Sequence, residues 1–479
     1  MKTKKAQINQ RDYYIFVNAT TSLCPVCLSR AAAKVVRVKD EIRIFGECKQ
    51  HGAFDNLLEE DADYYLRRNE FLKAPTRCQL QTPTKRGCPY DCGLCPDHEQ
   101  HTCTGLIEVT QACDMGCPVC YASSASGPYL SLKKIEEMMD FFVKSEGGQA
   151  EILQISGGEP TTHPQIEEIL LLAKKKSIKY IMLNTNGLRI GADDKFLNFL
   201  KTLSPGFEVY LQFDGFDAKT YKTLRGKDYS KEKLNIVKRL SDARIPTTLV
   251  TTVARGVNDH ELAHITKFAM DLPAIRGINF QPMAYFGRVP SKLADSSAFK
   301  SRITMTGIMK ELERQTSGEI KLSDFVPLPC NVDRVGFTFF YKKDDEFVPI
   351  TRIIDAKKFV PFLKNTMSFH HKDFNAKSLF SCCVPGGASF STLVKDLAPL
   401  IPKNFGMLDV IGQKKFIDDK TFRITIVSFI DRYSFDITAI KRECVHFITE
   451  DKKKIPFSTY NMLYRDKLYR GGEINAIRS

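Results

Sequence analysis

The stretch Cys113-Asp-Met-Gly-Cys117-Pro-Val-Cys120-Tyr121 constrains this chain more than any other. Its spacing, Cys-x3-Cys-x2-Cys, puts three thiolates on one short loop. Three thiolates can hold three irons of a [4Fe–4S] cube and leave the fourth iron open to a small ligand. A structural zinc site wants four ligands, usually as Cys-x2-Cys with a second Cys or His pair, and a three-cysteine loop with the wider gap first fits that poorly. Thirty-seven residues beyond Cys120, Gly157-Gly158-Glu159-Pro160 follows the apolar run Ile152–Ile155. The glycines alone would read as a tight turn after a strand. Both motifs, in this order, point to a cluster loop followed by a ligand-binding strand end.

Around these motifs the sequence alternates strand-like and helix-like segments. Strands are predicted at 106–110, 152–155, 180–183, 209–213, 247–253 and 277–280. Leu132, Ile135, Met138, Met139 and Phe142 share one helical face, as do Ile166, Ile169, Leu170 and Ala173. Six such units predict parallel strands joined by helices. The pattern fits an open doubly wound sheet or a partial barrel, and a cluster loop straight after the first strand favours the barrel. Ligands then belong at the C-terminal strand ends. Those ends carry Tyr121 and the cluster loop, Gly157 to Pro160, Asn184 and Asn186, Gln212 and Asp214, and Gln281-Pro282. Asn-Gly and Asp-Gly are also common turn makers.

Residues 1–103 hold eight of the fifteen cysteines. Cys24-Pro-Val-Cys27 and Cys48-Lys-Gln-His51 are two knuckles suited to one tetrahedral metal, zinc or a single iron, with Cys78 as an alternative to His51. Cys88, Cys92 and Cys95 repeat the Cys-x3-Cys-x2-Cys spacing, and Cys103 follows. Four cysteines saturate a cube, so these predict an auxiliary cluster. Exchanging the roles of the two loops is a competing reading, but no Gly-Gly-Glu follows Cys95 at the right separation.

Short-spaced cysteines behind a polar N-terminus argue for metal rather than disulfides, and for a cytoplasmic protein. No stretch nears the roughly 18 apolar residues of a membrane span. The net charge of +14 would suit RNA, anionic lipid or a phosphorylated substrate. Runs such as Lys174–Lys176 and Lys452–Lys454 read more simply as solvated faces.

The paired Cys113–Cys120 and Gly157–Pro160 motifs resemble those of radical S-adenosylmethionine (radical SAM) enzymes. The stretch Arg86 to Cys103, running on to Leu106-Ile-Glu-Val-Thr110 and Cys113, sharpens the likeness. It resembles the radical SAM family that holds archaeal tetraether lipid synthases and proteins proposed to methylate dihydropterins. Cys24/Cys27 with Cys48/His51 is similar to that family's rubredoxin-like N-terminus.

The resemblance implies an α/β fold. A partial (β/α)6 radical SAM barrel at 104–300 would sit between a rubredoxin- or zinc-ribbon-like region at 1–75 with an iron–sulfur segment at 76–103, and an α+β C-terminal region at 301–479. It implies SAM on the cluster of Cys113, Cys117 and Cys120, with the Gly157–Glu159 segment at the methionine amine and Asn184, Asn186, Gln212 and Asp214 toward SAM, its ribose or the substrate. It also implies a further cluster near Cys330 and Cys444 with a cysteine where this chain has Ser458, so a ligand is missing or Cys382 or Cys383 replaces it.

Expected function follows: a deoxyadenosyl radical formed with an electron from a donor such as ferredoxin or flavodoxin, then a carbon–carbon bond at an unactivated carbon. Lipid-chain coupling is the first expectation, with peripheral membrane contact. It requires a long apolar tunnel with a basic rim, which Phe337, Phe339, Phe340, Phe359 and Phe362 could wall. Methylation of a dihydropterin or another small molecule is the alternative and needs a compact polar pocket. An RNA-modifying enzyme lacks a recognisable RNA motif, so no nucleic acid is expected. An electron carrier would not need Gly157-Gly158-Glu159.

Overall fold

The computed structural model describes residues 13–76, 78–290, 293, 302–343, 346–360, 365, 416 and 419–465. Cys382, Cys383 and Phe362, and the side chain of Phe359, lie outside the described residues.

Four strands, β1 (Ile15–Leu23), β2 (Arg30–Val38), β3 (Glu41–Cys48) and β4 (Gly52–Glu59), form an antiparallel meander in sequence order. Val35, Ile42, Ile44 and Leu58 alternate onto one face and make a small core with Ala62 and Tyr65. This unit is too small to bury much apolar surface, so its cysteine knuckles matter to its stability.

The expected parallel strands follow: β5 (Thr104–Glu108), β6 (Ala150–Ser156), β7 (Ile178–Thr185), β8 (Phe207–Gln212), β9 (Thr247–Val253) and β10 (Ile275–Pro282). They pair in sequence order, each parallel to the next. Between them run the helices Leu132–Ser145, Ile166–Lys175, Ser230–Asp242 and Leu262–Met270. Their apolar faces cover the outside of the sheet: Met139, Phe142, Ile169, Leu170, Ile236, Leu240 and Ile265 join strand residues Ile155, Leu183, Val209 and Leu249 in one buried core. The first helix starts where Ser131 accepts a bond from the Lys134 N–H, an ordinary N-cap.

The C-terminal residues do not make a separate layer. After the hairpin strands β11 (Val326–Leu328), β12 (Asn331–Lys343) and β13 (Glu346–Pro349), β14 (Thr421–Val427) lies parallel to β10. Then β15 (Val445–Ile448) lies parallel to β5 and pairs with β16 (Lys454–Pro456). The sheet therefore runs β11-β12-β14-β10-β9-β8-β7-β6-β5-β15-β16, an open path whose centre, from β14 to β15, is parallel throughout. A boundary near residue 300 separates segments of sequence but not of this sheet. Among the described residues no helix is long and apolar enough to cross a membrane.

Candidate active site

The strand ends converge as barrel geometry requires. Cys113, Cys117 and Cys120 are half-buried and face one cavity of about 1230 Å³. Tyr121, Gly157, Gly158, Glu159, Asn184, Asn186 and Gln212 line the same cavity. The cluster loop is held from two sides. Cys120 and Arg288 exchange backbone bonds of 2.9 Å in both directions. The Arg288 guanidinium donates to the carbonyls of Cys117 (2.7 Å) and Ser124 (3.0 Å). Arg225 donates to the Val119 carbonyl at 3.3 Å.

Gly157 and Gly158 are required by close approach. A Cβ on Gly158 would stand 2.3 Å from the Ala112 carbonyl oxygen, and one on Gly157 equally close to that of Thr110. Gly157 also has φ +148°, which favours glycine. The N–H groups of Gly158 and Glu159 donate to Thr110 and Ala112, locking the second strand end to the cluster loop.

Glu159 is buried and already saturated. Its carboxylate accepts from the Thr161 N–H and hydroxyl, the Thr185 hydroxyl (2.7 Å) and the Asn186 N–H (2.6 Å). Burial pushes its carboxyl up, while those donors pull it back. Asn186 in turn donates to Asp114 at 2.7 Å and so reaches the cluster loop. Asn184 donates to the Ser156 hydroxyl at 3.2 Å, beside Tyr121. Pro160 is buried and opens a short 3-10 turn rather than facing the cavity.

Asp214 departs from its expected role. It is fully buried, and its carboxylate takes two bonds from Arg225 (2.6 and 2.8 Å), one from the Thr252 N–H and one from the Gln212 amide. It orients Arg225, which holds the cluster loop, and presents no oxygen to the cavity. Lys233, missed in the sequence, lies fully buried beneath the same strand ends. Its ammonium donates to the Asn186 carbonyl, the Gln212 carbonyl (3.1 Å) and the Gln212 side chain (2.5 Å). Burial pulls its pKa down to about 8. The available signal was register: Lys233 falls in line with Ile236, Val237 and Leu240 on the buried helix face.

Two further cysteine groups form. Cys24, Cys27, Cys48 and His51 bring their ligand atoms within 4.8 Å of one another. His51 Nδ1 lies 3.6 Å from both Cys24 and Cys48, and its hydrogen bond pulls the Cys48 thiol down to about 6. Cys78 is elsewhere, against the Thr76 carbonyl. Three sulfurs and one imidazole nitrogen this close suit a tetrahedral ion.

Cys88, Cys92 and Cys95 surround a small pocket with Asp97, His98 and Pro456. Cys103 is not with them. Its sulfur lies within 4.8 Å of those of Cys330 and Cys444, all three buried. The cause is strand pairing: β15 runs beside β5, and the Cys444 carbonyl accepts from the N–H groups of Cys103 and Thr104. Ser458 donates to Glu443 at 2.7 Å and accepts from the Ile430 N–H, so its hydroxyl is committed away from a metal.

Residues 107–269 match the model of the radical SAM superfamily, and residues 16–60 that of the HMPTM N-terminal zinc ribbon domain. Over 94% of its length, and 94% of the relative's, the chain is 31% identical to 7,8-dihydro-6-hydroxymethylpterin dimethyltransferase of Methanocaldococcus jannaschii. The chain belongs to the radical SAM superfamily. It is also 28% identical to the sporulation killing factor maturation protein SkfB of Bacillus subtilis, over 43% of this chain and 46% of that one. Among solved structures, Streptococcus suis SuiB bound to precursor peptide SuiA matches with 14% identity and a TM-score of 0.38, over 46% of each chain.

As a radical SAM enzyme, the chain draws its chemistry from a [4Fe–4S] cluster and SAM. The residues fit that pair. Three thiols on one clasped loop face the cavity, and beside them glycine backbone leaves room no side chain could share. The cavity extends well past the cluster end. Its upper wall is apolar, with Phe286, Phe429 and Phe457, and Phe337 and Phe339 join it from β12. Phe340 instead packs in the outer core. Mid-barrel the wall turns polar, with Gln154, Tyr210, Asn279 and Gln281. The cavity is neither the compact polar pocket nor the wholly apolar tunnel that the two substrate expectations required.

Proposed function

We propose that this radical SAM enzyme methylates an unactivated carbon of a small polar heterocycle of the dihydropterin kind. The observation that carries the reading is the polar mid-barrel set, Gln154, Tyr210, Asn279 and Gln281, directly beyond the cluster loop. A few convergent polar groups in an otherwise apolar cavity fix the orientation of a heterocycle. The full-length likeness to a protein named as a dihydropterin dimethyltransferase supports it.

Cys113, Cys117 and Cys120 would hold the cluster, and the Gly157–Glu159 segment, Asn184 and Gln212 would border SAM. When bound, cluster and SAM would supply hydrogen abstraction from carbon, and a second SAM would supply the methyl group, leaving as S-adenosylhomocysteine with a further electron from the reductant. The chain's own part is positional. Arg288 and Arg225 clamp the loop, Glu159 and Lys233 fix the β7 and β8 ends, and the aromatic wall excludes water from the reacting carbon. A low-potential donor such as ferredoxin or flavodoxin would supply the electron. Cys24, Cys27, Cys48 and His51 would hold zinc or iron.

A second reading, alkylation or coupling of a long apolar chain, is favoured by the cavity volume, which exceeds the roughly 300–1,000 Å³ of ordinary ligand pockets, and by its phenylalanine wall. One experiment separates them. The protein is reconstituted anaerobically with iron and sulfide, then given SAM, dithionite and either 6-hydroxymethyl-7,8-dihydropterin or an isoprenoid lipid extract. Mass spectrometry should show methylated pterin and 5′-deoxyadenosine. Consumption of lipid alone would transfer the conclusion to the second reading, and consumption of neither would refute both.

A further inference from the structure

The hydrogen-bonded path of the large sheet is open: β12 lies near one end, β5 and β15 near the other, and among the described residues no strand pairing joins β12 to β15. Three thiols meet across that seam. Cys330 leads into β12, Cys103 into β5 and Cys444 into β15, and their sulfurs lie within 4.8 Å of one another. None is more than 3% exposed. Leu328, Phe337, Phe429 and Val445 pack around them and also line the large cavity.

The spacing of these sulfurs decides what they can hold. Thiolates sharing one tetrahedral ion, with bonds of about 2.3 Å, stand about 3.8 Å apart. Cys330 and Cys444 are 3.9 Å apart. In the zinc ribbon, Cys27 and Cys48 are 3.8 Å apart. A cube spreads its thiolates, because each radiates from a different corner iron. Among the described residues the thiols of Cys113, Cys117 and Cys120 form no group as tight as the seam's. The seam thiols therefore fit one ion, not the further cube that the family resemblance implies. A fourth ligand stands beside them. His101 Nε2 is 3.7 Å from the Cys103 sulfur. Its Nδ1 lies 3.1 Å from the Glu146 carboxylate, which the buried Lys454 ammonium holds at 2.5 Å. A carboxylate on the far nitrogen is how metal-bound histidines are oriented. With the proton on Nδ1, Nε2 carries a lone pair and faces the Asn365 carbonyl oxygen at 3.1 Å, acceptor against acceptor. Turning Nε2 onto an ion removes that mismatch.

We propose that Cys103, Cys330, Cys444 and His101 hold a single tetrahedral ion, zinc or ferrous iron, that pins the two flanks of the sheet together and closes the barrel. Both ions accept tetrahedral thiolate and imidazole ligands. Every position is taken by protein, so the ion is structural, as closed four-ligand sites are. Binding releases the thiol protons to solvent. The proposal rests on neither substrate reading.

The test counts metal and acid-labile sulfide in the full chain, purified anaerobically from cells grown with both iron and zinc. Against the wild type, C330A/C444A should lack about one metal ion per chain and no sulfide, and the element lost names the ion. A loss of about four irons with four sulfides makes the site a cube and overturns the proposal, as does a loss of no metal. A second measurement stands if C330A/C444A fails to fold. C24A/C27A, which removes the ribbon's site, is produced in zinc-depleted medium supplemented with cobalt(II). It should carry about one cobalt per chain, with the thiolate charge-transfer and ligand-field bands of a tetrahedral site. Absence of that spectrum overturns the proposal. In the same background H101C should keep the cobalt and shift its charge-transfer band through a fourth thiolate, while H101A and E146Q should weaken cobalt binding about tenfold to a hundredfold. An H101A spectrum and affinity equal to those of its parent would remove His101 from the ligand set and overturn the four-ligand site.

Discussion

Replacing Arg225 with methionine is the sharpest probe of how the barrel holds its cluster loop. The guanidinium makes two bonds to Asp214 at 2.6 and 2.8 Å, one to the Thr252 hydroxyl at 3.0 Å and one to the Val119 carbonyl at 3.3 Å. Asp214 has no exposure at all. In R225M its charge is stranded with only the Thr252 N–H and the Gln212 amide. Removing one partner of a buried ion pair costs about 3–5 kcal/mol, because the other charge stays buried. D214L strands Arg225 and should cost a similar amount. The double variant removes both charges and leaves a few neutral groups unmet at about 1–3 kcal/mol each. It should be less destabilised than the two single variants together by about 2 kcal/mol or more. Urea unfolding of the four reconstituted proteins measures this coupling. Iron retained after desalting supplies a second readout, and R225M should lose the iron of one cube while keeping metal elsewhere. An R225M protein within about 0.5 kcal/mol of wild type, or strictly additive single effects, would refute the clasp.

Replacing Cys113, Cys117 and Cys120 together with alanine should abolish 5′-deoxyadenosine formation under dithionite, read by chromatography, while iron bound elsewhere persists. H51A should release close to one metal ion per chain on mild chelation, by elemental analysis, and loosen residues 15–59 by hydrogen exchange without abolishing SAM cleavage. Burial pushes the Glu443 carboxyl up to about 7 from an ordinary 4.5. The folded state then keeps a proton that the unfolded chain releases, so this contribution is complete below about 4.5 and is lost as pH rises to about 7. At about 1.4 kcal/mol per pH unit the loss is about 3 kcal/mol. E443Q should flatten that slope in unfolding experiments between pH 4.5 and 7, and an unchanged slope would exclude Glu443 as its source.

The parallel strands and their order were legible because each β–α unit carries its own local periodicity. The cluster loop and Gly157-Gly158 were legible because their chemistry is contiguous. What escaped was long-range. Nothing near Cys103 reveals that β15 will lie beside it, so Cys103 reads as partner to Cys95 when strand pairing gives it to Cys330 and Cys444. Asp214 reads as a ligand contact because Asp-Gly ends a strand, yet Arg225, eleven residues on, consumes its oxygens. Lys233 was hidden by the habit of reading lysine as surface, although its register was apolar.

The neighbouring of β5 and β15 also sets a timetable. Roughly 340 residues separate the two strands, and a ribosome adding about 5–20 residues per second needs on the order of 17–70 s to bridge them. For that interval the outer edge of β5 is an unpaired strand edge, open to association with other chains, and the Cys103 thiol waits without the backbone that later covers it. The barrel can thus assemble from its second strand onward during synthesis, while its first strand becomes an interior one only once β15 has been made. Slower translation lengthens the exposure rather than relieving it, so recovery of native protein should depend on elongation rate in the opposite sense to that of proteins that fold domain by domain from the N-terminus.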